Sequence, residues 1–295
     1  MSDTFRSGWI ALIGRPNVGK STILNALIGQ KIAIVTKRQQ TTRNRLLGIR
    51  NLPSAQMIFI DTPGIHSPRH GLGRSMVRSV KETLGEIDLV VFVTDAERPV
   101  PDDLVVLDML RKSRKPVLFV LNKADRKSPA EITGCIHSYE DMFPFDGFLA
   151  VSGLKKKGID LLLEKLRELL PPGPKYYDDD MVTDQYERFM AAEIIREKII
   201  KNISEEVPHA VAVEVQEWKE KKQGIVNVRA LIYVEREGQK GIIIGKQGEM
   251  LKTIGSQARM DIEKLTGTRV YLELWIKVKK GWRDDRKMLD ALGYR

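Results

Sequence analysis

The chain has 295 residues, 42% of them hydrophobic and 6% aromatic, which suits two ordinary cores better than one small domain. No run of 18 or more uncharged apolar residues occurs, which excludes a membrane-spanning helix, and a single cysteine excludes an internal disulfide. Lysine and arginine number 49 against 39 acids, a net charge of +10, and this balance suggests a polyanionic partner such as nucleic acid or an anionic membrane surface.

The start, MSDTFRSGWIALIG, runs directly into an apolar strand, so no cleavable leader is expected, and with only Cys135 to oxidise a reducing cytoplasm is expected. Cys135 itself, between Ile132 and Ile136, reads as a packing residue. The charge is unevenly distributed. No acid lies between Asp3 and Asp61, while Lys37, Arg38, Arg43, Arg45 and Arg50 crowd that span; from Lys240 onward there are 13 basic residues and 7 acids.

Residues 9–170 alternate short β-branched runs with amphipathic stretches. Strands are predicted at Trp9–Ile13, Ile32–Thr36, Arg45–Arg50, Met57–Ile60, Leu89–Thr94, Val117–Leu121 and Gly147–Val151. Helices are predicted between most of them, as at Ser21–Leu27, Leu104–Arg111 and Leu161–Leu169. Such alternation predicts a mostly parallel sheet with helices on both faces. LLPPGPKYYDDD, residues 169–180, can neither continue a helix nor build a core and reads as linker. Beyond it Asp184 is placed to cap a helix over Gln185–Ile203, with Phe189, Ala192, Ile195, Ile199 and Ile203 along one side. Strands follow at Ala210–Trp218, Ile225–Tyr233 and Arg269–Lys279, with helices at Gly248–Ile254 and Gln257–Thr266, an α-β-β-α-α-β order. Val270, Leu272, Leu274, Ile276 and Val278 alternate with Tyr271, Glu273, Trp275, Lys277 and Lys279. Tyr271 and Trp275 are expected to pack under the tail GWRDDRKMLDALGYR, with base-stacking platforms the alternative. The expected division is 1–170, a linker over 171–184, 185–280, and a tail over 281–295.

GRPNVGKS, residues 14–21, follows the strand WIALI and opens a helix, the context in which a phosphate-binding loop works. Gly14 and Gly19 permit the turn, backbone N–H groups curl round a β-phosphate, and the helix N-terminus adds positive potential. The candidate loop is Gly14, Arg15, Pro16, Asn17, Val18, Gly19, Lys20, Ser21 and Thr22. Lys20 would bridge β- and γ-phosphates, and Ser21 would coordinate Mg²⁺. MIFIDTPG delivers Asp61 to act on the metal through a water, followed by Thr62, Pro63 and Gly64, whose amide would meet a γ-phosphate. VLFVLNKAD ends in Asn-Lys-x-Asp. The Asp125 carboxylate can accept from both N1–H and the 2-amino group of guanine, a paired donor edge that adenine lacks. Asn122 would brace base and phosphate loop, and the Lys123 stem would cover the base.

These three fragments resemble the translation-factor-related GTPases, and QTTRNR at 40–45 matches their first switch. The resemblance implies Thr42 as the metal-binding switch threonine, with Thr41 the alternative and Arg43 beside it. A Ser-Ala element is replaced by Ser152-Gly153, where the Gly153 N–H would meet guanine O6. Ile65 follows DTPG where many GTPases place a water-orienting glutamine, so slow intrinsic hydrolysis is expected. Relatives with an asparagine at the Asn17 position use it to bind K⁺; a turn-forming role is the alternative.

GIIIGKQGEMLKTIG, residues 241–255, carries GxxG without a Gly-Lys-Ser ending, after an apolar entry and with Lys246 inside it. It resembles a KH domain of the bacterial arrangement, whose loop clamps about four nucleotides of single-stranded RNA. Ile244, Gly245, Lys246, Gln247 and Gly248 would form the clamp, with Lys240, Lys252 and Arg259 supplying charge. Together with AAEIIREK at 191–198, the whole chain resembles the Era family. That resemblance implies an α/β P-loop GTPase domain followed by an α+β type II KH domain, binding of GTP or GDP with Mg²⁺, and a nucleotide-controlled switch. It further implies binding near the 3′ end of 16S rRNA in small-subunit (30S) assembly, a monomer, and a cytoplasmic location with peripheral membrane association. Arg43 and Arg45 are a candidate direct rRNA contact. The rival readings are an RNA chaperone whose nucleotide site is only structural, and a regulator at the membrane or in the cell cycle.

Overall fold

The computed structural model describes residues 4–36, 38, 40–65, 70–203, 207–221 and 224–294; Lys37 and His66 lie outside the described residues. The chain divides into two units, Met1–Ala33 with Thr42–Arg69 and Gly73–Asp184, and Ile34–Thr41 with His70–Leu72 and Gln185–Arg295.

The first unit is built on a six-stranded sheet of β1 (Arg6–Ile13), β2 (Leu46–Leu52), β3 (Ala55–Asp61), β4 (Leu89–Thr94), β5 (Val117–Leu121) and β6 (Phe148–Ala150), ordered β2-β3-β1-β4-β5-β6. Only β2 runs antiparallel, paired with β3 from Leu46↔Asp61 to Leu52↔Ala55. The helices are α1 (Lys20–Ile28), α2 (Gly71–Glu86), α3 (Pro101–Ser113), α4 (Pro129–Glu140) and α5 (Ile159–Leu169). The central strands read as unbroken apolar runs because both faces are covered, and every residue of β3, β4 and β5 is buried. One core joins Ile13, Phe92, Phe119, Val106, Tyr139 and Cys135, the last 2% exposed and packed as its neighbours suggested. Strand order reverses at β1, which is the crevice where an open α/β sheet places its ligand.

One expectation fails here. Ile32–Thr36 is not a strand: the Asn25 side chain takes the Ile32 and Ala33 N–H groups at 2.9 and 2.8 Å and donates to the Ala33 carbonyl at 2.9 Å, replacing a strand neighbour. The 171–184 linker is bonded to the sheet. Gln56 accepts from the Tyr176 and Tyr177 N–H groups, Ile49 N–H donates to the Val182 carbonyl, and Thr183 Oγ1 donates to the Leu47 carbonyl, so this stretch lies along β2 and β3.

The second unit contains α6 (Glu187–Asn202), β7 (Ala212–Lys221), β8 (Ile225–Val234), α7 (Glu237–Ile244), α8 (Glu249–Thr266), β9 (Arg269–Val278) and α9 (Arg286–Ala291). Its sheet is ordered β7-β8-β9, antiparallel then parallel, so β9 is an edge. Ile195 and Ile199 of α6 join Ile254, Ala258 and Ile262 of α8 against Val228, Ala230 and Ile232 of the sheet. The order is the expected one, but its helices differ. Residues 248–254 and 257–266 form one helix through Gly255, because Ile254, Ala258 and Ile262 bury a continuous stripe that outweighs the ~1 kcal/mol a helical glycine forfeits. The other helix, α7, takes up the apolar run Ile242–Ile244. Asp184 does not cap α6, which starts after an extended Tyr186 with no side-chain cap. Tyr271 and Trp275 are 56% and 62% exposed; the tail buries its own Trp282 instead, whose Nε1 donates to the Ala210 carbonyl at 2.9 Å.

Candidate functional site

The loop between β1 and α1 must pass close to other backbone. A Cβ on Gly14 would sit 2.2 Å from the Val93 carbonyl oxygen, and one on Gly19, at φ 97°, would sit 2.3 Å from Asn122 Nδ2. Asn17 also adopts left-handed backbone (φ 65°), which asparagine tolerates, and is exposed. Lys20 Nζ donates to the Gly14 and Arg15 carbonyls at 2.9 and 3.0 Å, closing the loop over itself. Burial pushes the Lys20 ammonium down to about 8, opposed by the charge of Asp61. Val18 is buried, Pro16 abuts Gly64 so that a Cβ there would meet Pro16 at 2.7 Å, and Thr22 lies half-buried in the first turn of α1.

Ser21, Thr42 and Asp61 converge. Ser21 Oγ donates to Asp61 Oδ2 at 2.5 Å, Thr42 Oγ1 donates to the same oxygen at 3.1 Å, and the two hydroxyls are 2.8 Å apart. Asp61 Oδ1 is buried with no partner. Burial raises the Asp61 carboxyl, offset by Lys20 and the two hydroxyls. Two hydroxyls and one under-satisfied carboxylate fit a small hard cation that keeps waters and phosphate oxygens as its other ligands. Thr41, the alternative, points elsewhere: its Oγ1 donates to the Arg38 carbonyl at 2.7 Å. Thr62 Oγ1 donates to the Leu12 carbonyl at 2.7 Å, Pro63 is buried, and Ile65 is 2% exposed in the core, where it orients no water.

Asn122 ties two loops together, donating to the Val18 carbonyl at 2.8 Å and accepting from Gly153 N–H at 3.0 Å. The Gly153 N–H expected for a base is thus engaged by Asn122. Lys123 Nζ reaches the Asn17 carbonyl at 2.9 Å and Asp95 at 2.5 Å. Asp125 is exposed, and a hydrogen bond from Ser152 holds its carboxyl below the ordinary range. Arg15 is paired with Asp95 and, at 3.4 Å, with Asp103, which leaves its backbone as its means of meeting phosphate. Arg43 is 2% exposed, which overturns it as an rRNA contact; Arg45 is exposed and pairs with Glu86 at 2.9 Å.

In the second unit, Gly245 has φ 72° and a Cβ there would meet Met250 Cβ at 2.6 Å, while Gln247 and Gly248 are also left-handed. Lys246 and Gln247 are exposed at the tip, Ile244 half-buried at its entry. Alongside runs a groove of about 400 Å³, lined by Gly248, Leu251, Lys252, Gly255, Ser256, Arg259, Leu272 and Leu274. Lys252 and Arg259 give it charge; Lys240 is half-buried on α7 and does not line it.

Residues 9–123 match the family described as 50S ribosome-binding GTPase, and residues 206–283 match the KH domain family. The chain is 49% identical to GTPase Era of Geobacter metallireducens over all of both chains, and 47% identical to GTPase Era of Ruminiclostridium cellulolyticum over 99% of this chain and 98% of that one. The chain belongs to the Era family of GTPases.

Two solved Era structures resemble it throughout. Era in complex with MgGDPNP and nucleotides 1506–1542 of 16S ribosomal RNA matches with a TM-score of 0.95 and 39% identity, over 98% of this chain and 99% of that one. A point variant of Aquifex aeolicus Era bound to GDP·AlF4⁻ matches with the same TM-score and 38% identity, over the same shares. Membership of the Era family accounts for the two motif sets lying on one chain. Sequence reasoning missed Asp95, which joins Arg15 to Lys123; its signal was an acid at the carboxyl end of an apolar strand beside the switch point. It also missed Gly255 and Ser256, and the edge leucines Leu272 and Leu274, whose alternation marked a buried face but not an open groove.

Proposed function

We propose that this protein binds GTP with Mg²⁺, hydrolyses it slowly, and binds single-stranded 16S rRNA near its 3′ end as a switch in assembly of the 30S subunit. The observation that carries this reading is the likeness along the full chain to an Era crystallised with both MgGDPNP and 16S nucleotides. Ser21, Thr42 and Asp61 would hold the metal, which when bound supplies positive charge to the β- and γ-phosphate oxygens. Gly14–Thr22 backbone and Lys20 would cradle the phosphates. Asp125, aligned by Ser152, would select guanine, with Asn122 fixing the loops beneath it. Departure of the γ-phosphate would release Thr42 and the turn after Asp61, the order–disorder step common to such switches. Asn17 would be the K⁺ ligand, tested by comparing turnover in K⁺ and Na⁺.

The open GxxG turn and the groove beside α8 support the RNA half of the reading: bare backbone at Gly245–Gly248 admits a sugar–phosphate chain, and Lys252 and Arg259 meet its charge. Among the described residues no helix is long and apolar enough to cross a membrane, so a membrane role would be peripheral. The test is crosslinking of the GTP-bound protein to cellular RNA. Sites clustered at the 3′ end of 16S rRNA are expected. Crosslinks scattered over unrelated RNAs, or binding to anionic vesicles in preference to the 16S fragment, would overturn the reading.

A further inference from the structure

Asp95 and Asp103 make none of the expected nucleotide contacts, yet both turn a carboxylate toward the phosphate loop. Asp95 follows the last residue of β4, and Asp103 lies in the first turn of α3, 0% exposed. Between them sits the guanidinium of Arg15. Its Nη2 pairs with Asp95 Oδ1, and its Nε lies 3.4 Å from Asp103 Oδ1. Arg15 Nε and Asp103 Oδ1 are both buried without a hydrogen bond, so each has the other as its charge partner. A carboxylate taken out of water is unfavourable without one.

The second oxygen of each carboxylate faces away from Arg15. Asp103 Oδ2 accepts from Tyr139 OH of α4 at 2.8 Å, and at 3.4 Å from Thr94 Oγ1 and from the Val100 N–H. Tyr139 is 0% exposed and packs against the rings of Phe92 and Phe119, so Asp103 is held from behind by the core. Capping of α3 does not account for this residue: the bond to Val100 is the long one, and a cap gives no reason for an oxygen turned to a guanidinium. Asp95 Oδ2 accepts from Lys123 Nζ at 2.5 Å, and that ammonium also donates to the Asn17 carbonyl at 2.9 Å. The Arg15 carbonyl, in turn, accepts from Lys20 Nζ at 3.0 Å. Fixing the Arg15 side chain therefore fixes the peptide that seats Lys20, and every group named lies in the first unit.

We propose that Asp103, backed by Tyr139, and Asp95 are positioning residues for nucleotide binding: together they clamp Arg15 and so set the phosphate loop, and Asp95 also holds Lys123 beside the base site. The inference rests on the GTPase reading above and separates two roles within it. Asp103 acts on the phosphate side alone. Asp95 spans both sides, because one carboxylate with an oxygen on Arg15 and an oxygen on Lys123 cannot shift toward one cation without loosening from the other.

The test measures the affinities of GMP, GDP and IDP, by displacement of fluorescent GDP, for full-length wild type, D103N, Y139F, D95N, R15M and R15M/D103N. The GDP:GMP ratio reads the β-phosphate contacts of the loop. The GDP:IDP ratio reads the 2-amino group of guanine, which hypoxanthine lacks. In D103N the amide that keeps the Tyr139 bond turns its N–H groups on Arg15, and the GDP:GMP ratio falls about tenfold while GDP:IDP stays within about twofold. Y139F lowers GDP:GMP less, by about threefold, since Asp103 loses one donor and keeps its charge. D95N has one acceptor for two cations, and both ratios fall. R15M/D103N loses no more of GDP:GMP than the worse single variant, because the two residues act through one pair. A wild-type GDP:GMP ratio in D103N would overturn the proposal. Equal falls in both ratios there would overturn it too, being what general loosening of the domain predicts, as would additive losses in the double variant. If D103N does not fold, a wild-type GDP:GMP ratio in R15M and Y139F overturns it instead. A wild type that binds none of the three nucleotides overturns the functional reading as well; a wild type that binds GDP, with unaffected variants, overturns this inference alone.

Discussion

One amide side chain, that of Asn122, joins the phosphate loop to the loop after β6, and both of its partners are backbone groups with little access to water. N122A would leave the Val18 carbonyl and the Gly153 N–H unpaired, a destabilisation of about 2–6 kcal/mol at ~1–3 kcal/mol each. Chemical denaturation should show that loss, and GDP affinity should fall at least about tenfold because the loops are no longer fixed. Asp125 makes a sharper chemical prediction. A carboxylate offers two acceptors to the N1–H and 2-amino donors of guanine, whereas the amide of D125N offers one acceptor and one donor, the complement of xanthine. D125N should lose about 100-fold in GDP affinity, roughly 2.7 kcal/mol, and prefer XDP; titration with fluorescent GDP and XDP checks it, and unchanged GDP binding would remove Asp125 from the base site. Both residues were legible in NKAD because their chemistry is local to one strand end. Asp95 was not, since its partners Arg15 and Lys123 come from two distant segments. Arg43 was misread for the complementary reason: a basic residue in an acid-free span has no sequence mark that distinguishes a buried guanidinium from an exposed one.

At the level of elements, apolar runs that alternate or persist were legible and their neighbours were not. β3, β4 and β5 announce themselves because burial on both faces demands unbroken apolar residues. Ile32–Thr36 carries the same signature, yet Asn25 satisfies its first two amides and no strand forms. α6 was read as apolar along one side, but Met190, Arg196, Glu197 and Ile200 are buried as well, and Glu197 and Arg196 bond to the Val35 N–H and the Thr41 carbonyl of the same unit. β8 offers a pH test. Tyr233 OH donates to Glu214 Oε2 at 2.8 Å, and burial, then the neighbouring carboxylate, pushes the phenol up to about 12 from an ordinary 10. A raised folded pKa means the neutral phenol is favoured in the fold. That advantage is complete below pH 10 and is lost as pH rises toward 12, because the unfolded chain ionises first. Wild type should therefore lose on the order of 2 kcal/mol more than Y233F between pH 10 and 12. Parallel stability–pH curves for the two would show that Tyr233 is not held neutral by the fold.

For the molecule as a whole, the net charge of +10 was the earliest pointer to a polyanion, and it does not say where the polyanion goes. Basic residues are spread through the chain, and many are spent on neighbours: Arg15 on Asp95, Arg45 on Glu86, Arg229 on Glu217 and Glu273. What distinguishes Lys252 and Arg259 is that both are exposed on one helix face and line the same groove beside an open glycine turn. If RNA lies there, each should neutralise one phosphate, and for a single strand each neutralised phosphate contributes about 0.7 to the slope of log affinity against log salt. K252Q/R259Q should therefore lower that slope by about 1.4 for a single-stranded 16S 3′-end fragment. It should leave GDP binding as in wild type, since neither side chain belongs to the first unit. A diffuse attraction of the whole basic chain for polyanions predicts a different result, a slope almost unchanged by removing two charges of 49. The measurement is fluorescence anisotropy of the labelled fragment across a salt series, with anionic vesicles as the competing surface. A wild-type slope in K252Q/R259Q, or an equal loss of vesicle and RNA binding, would place the nucleic acid away from α8.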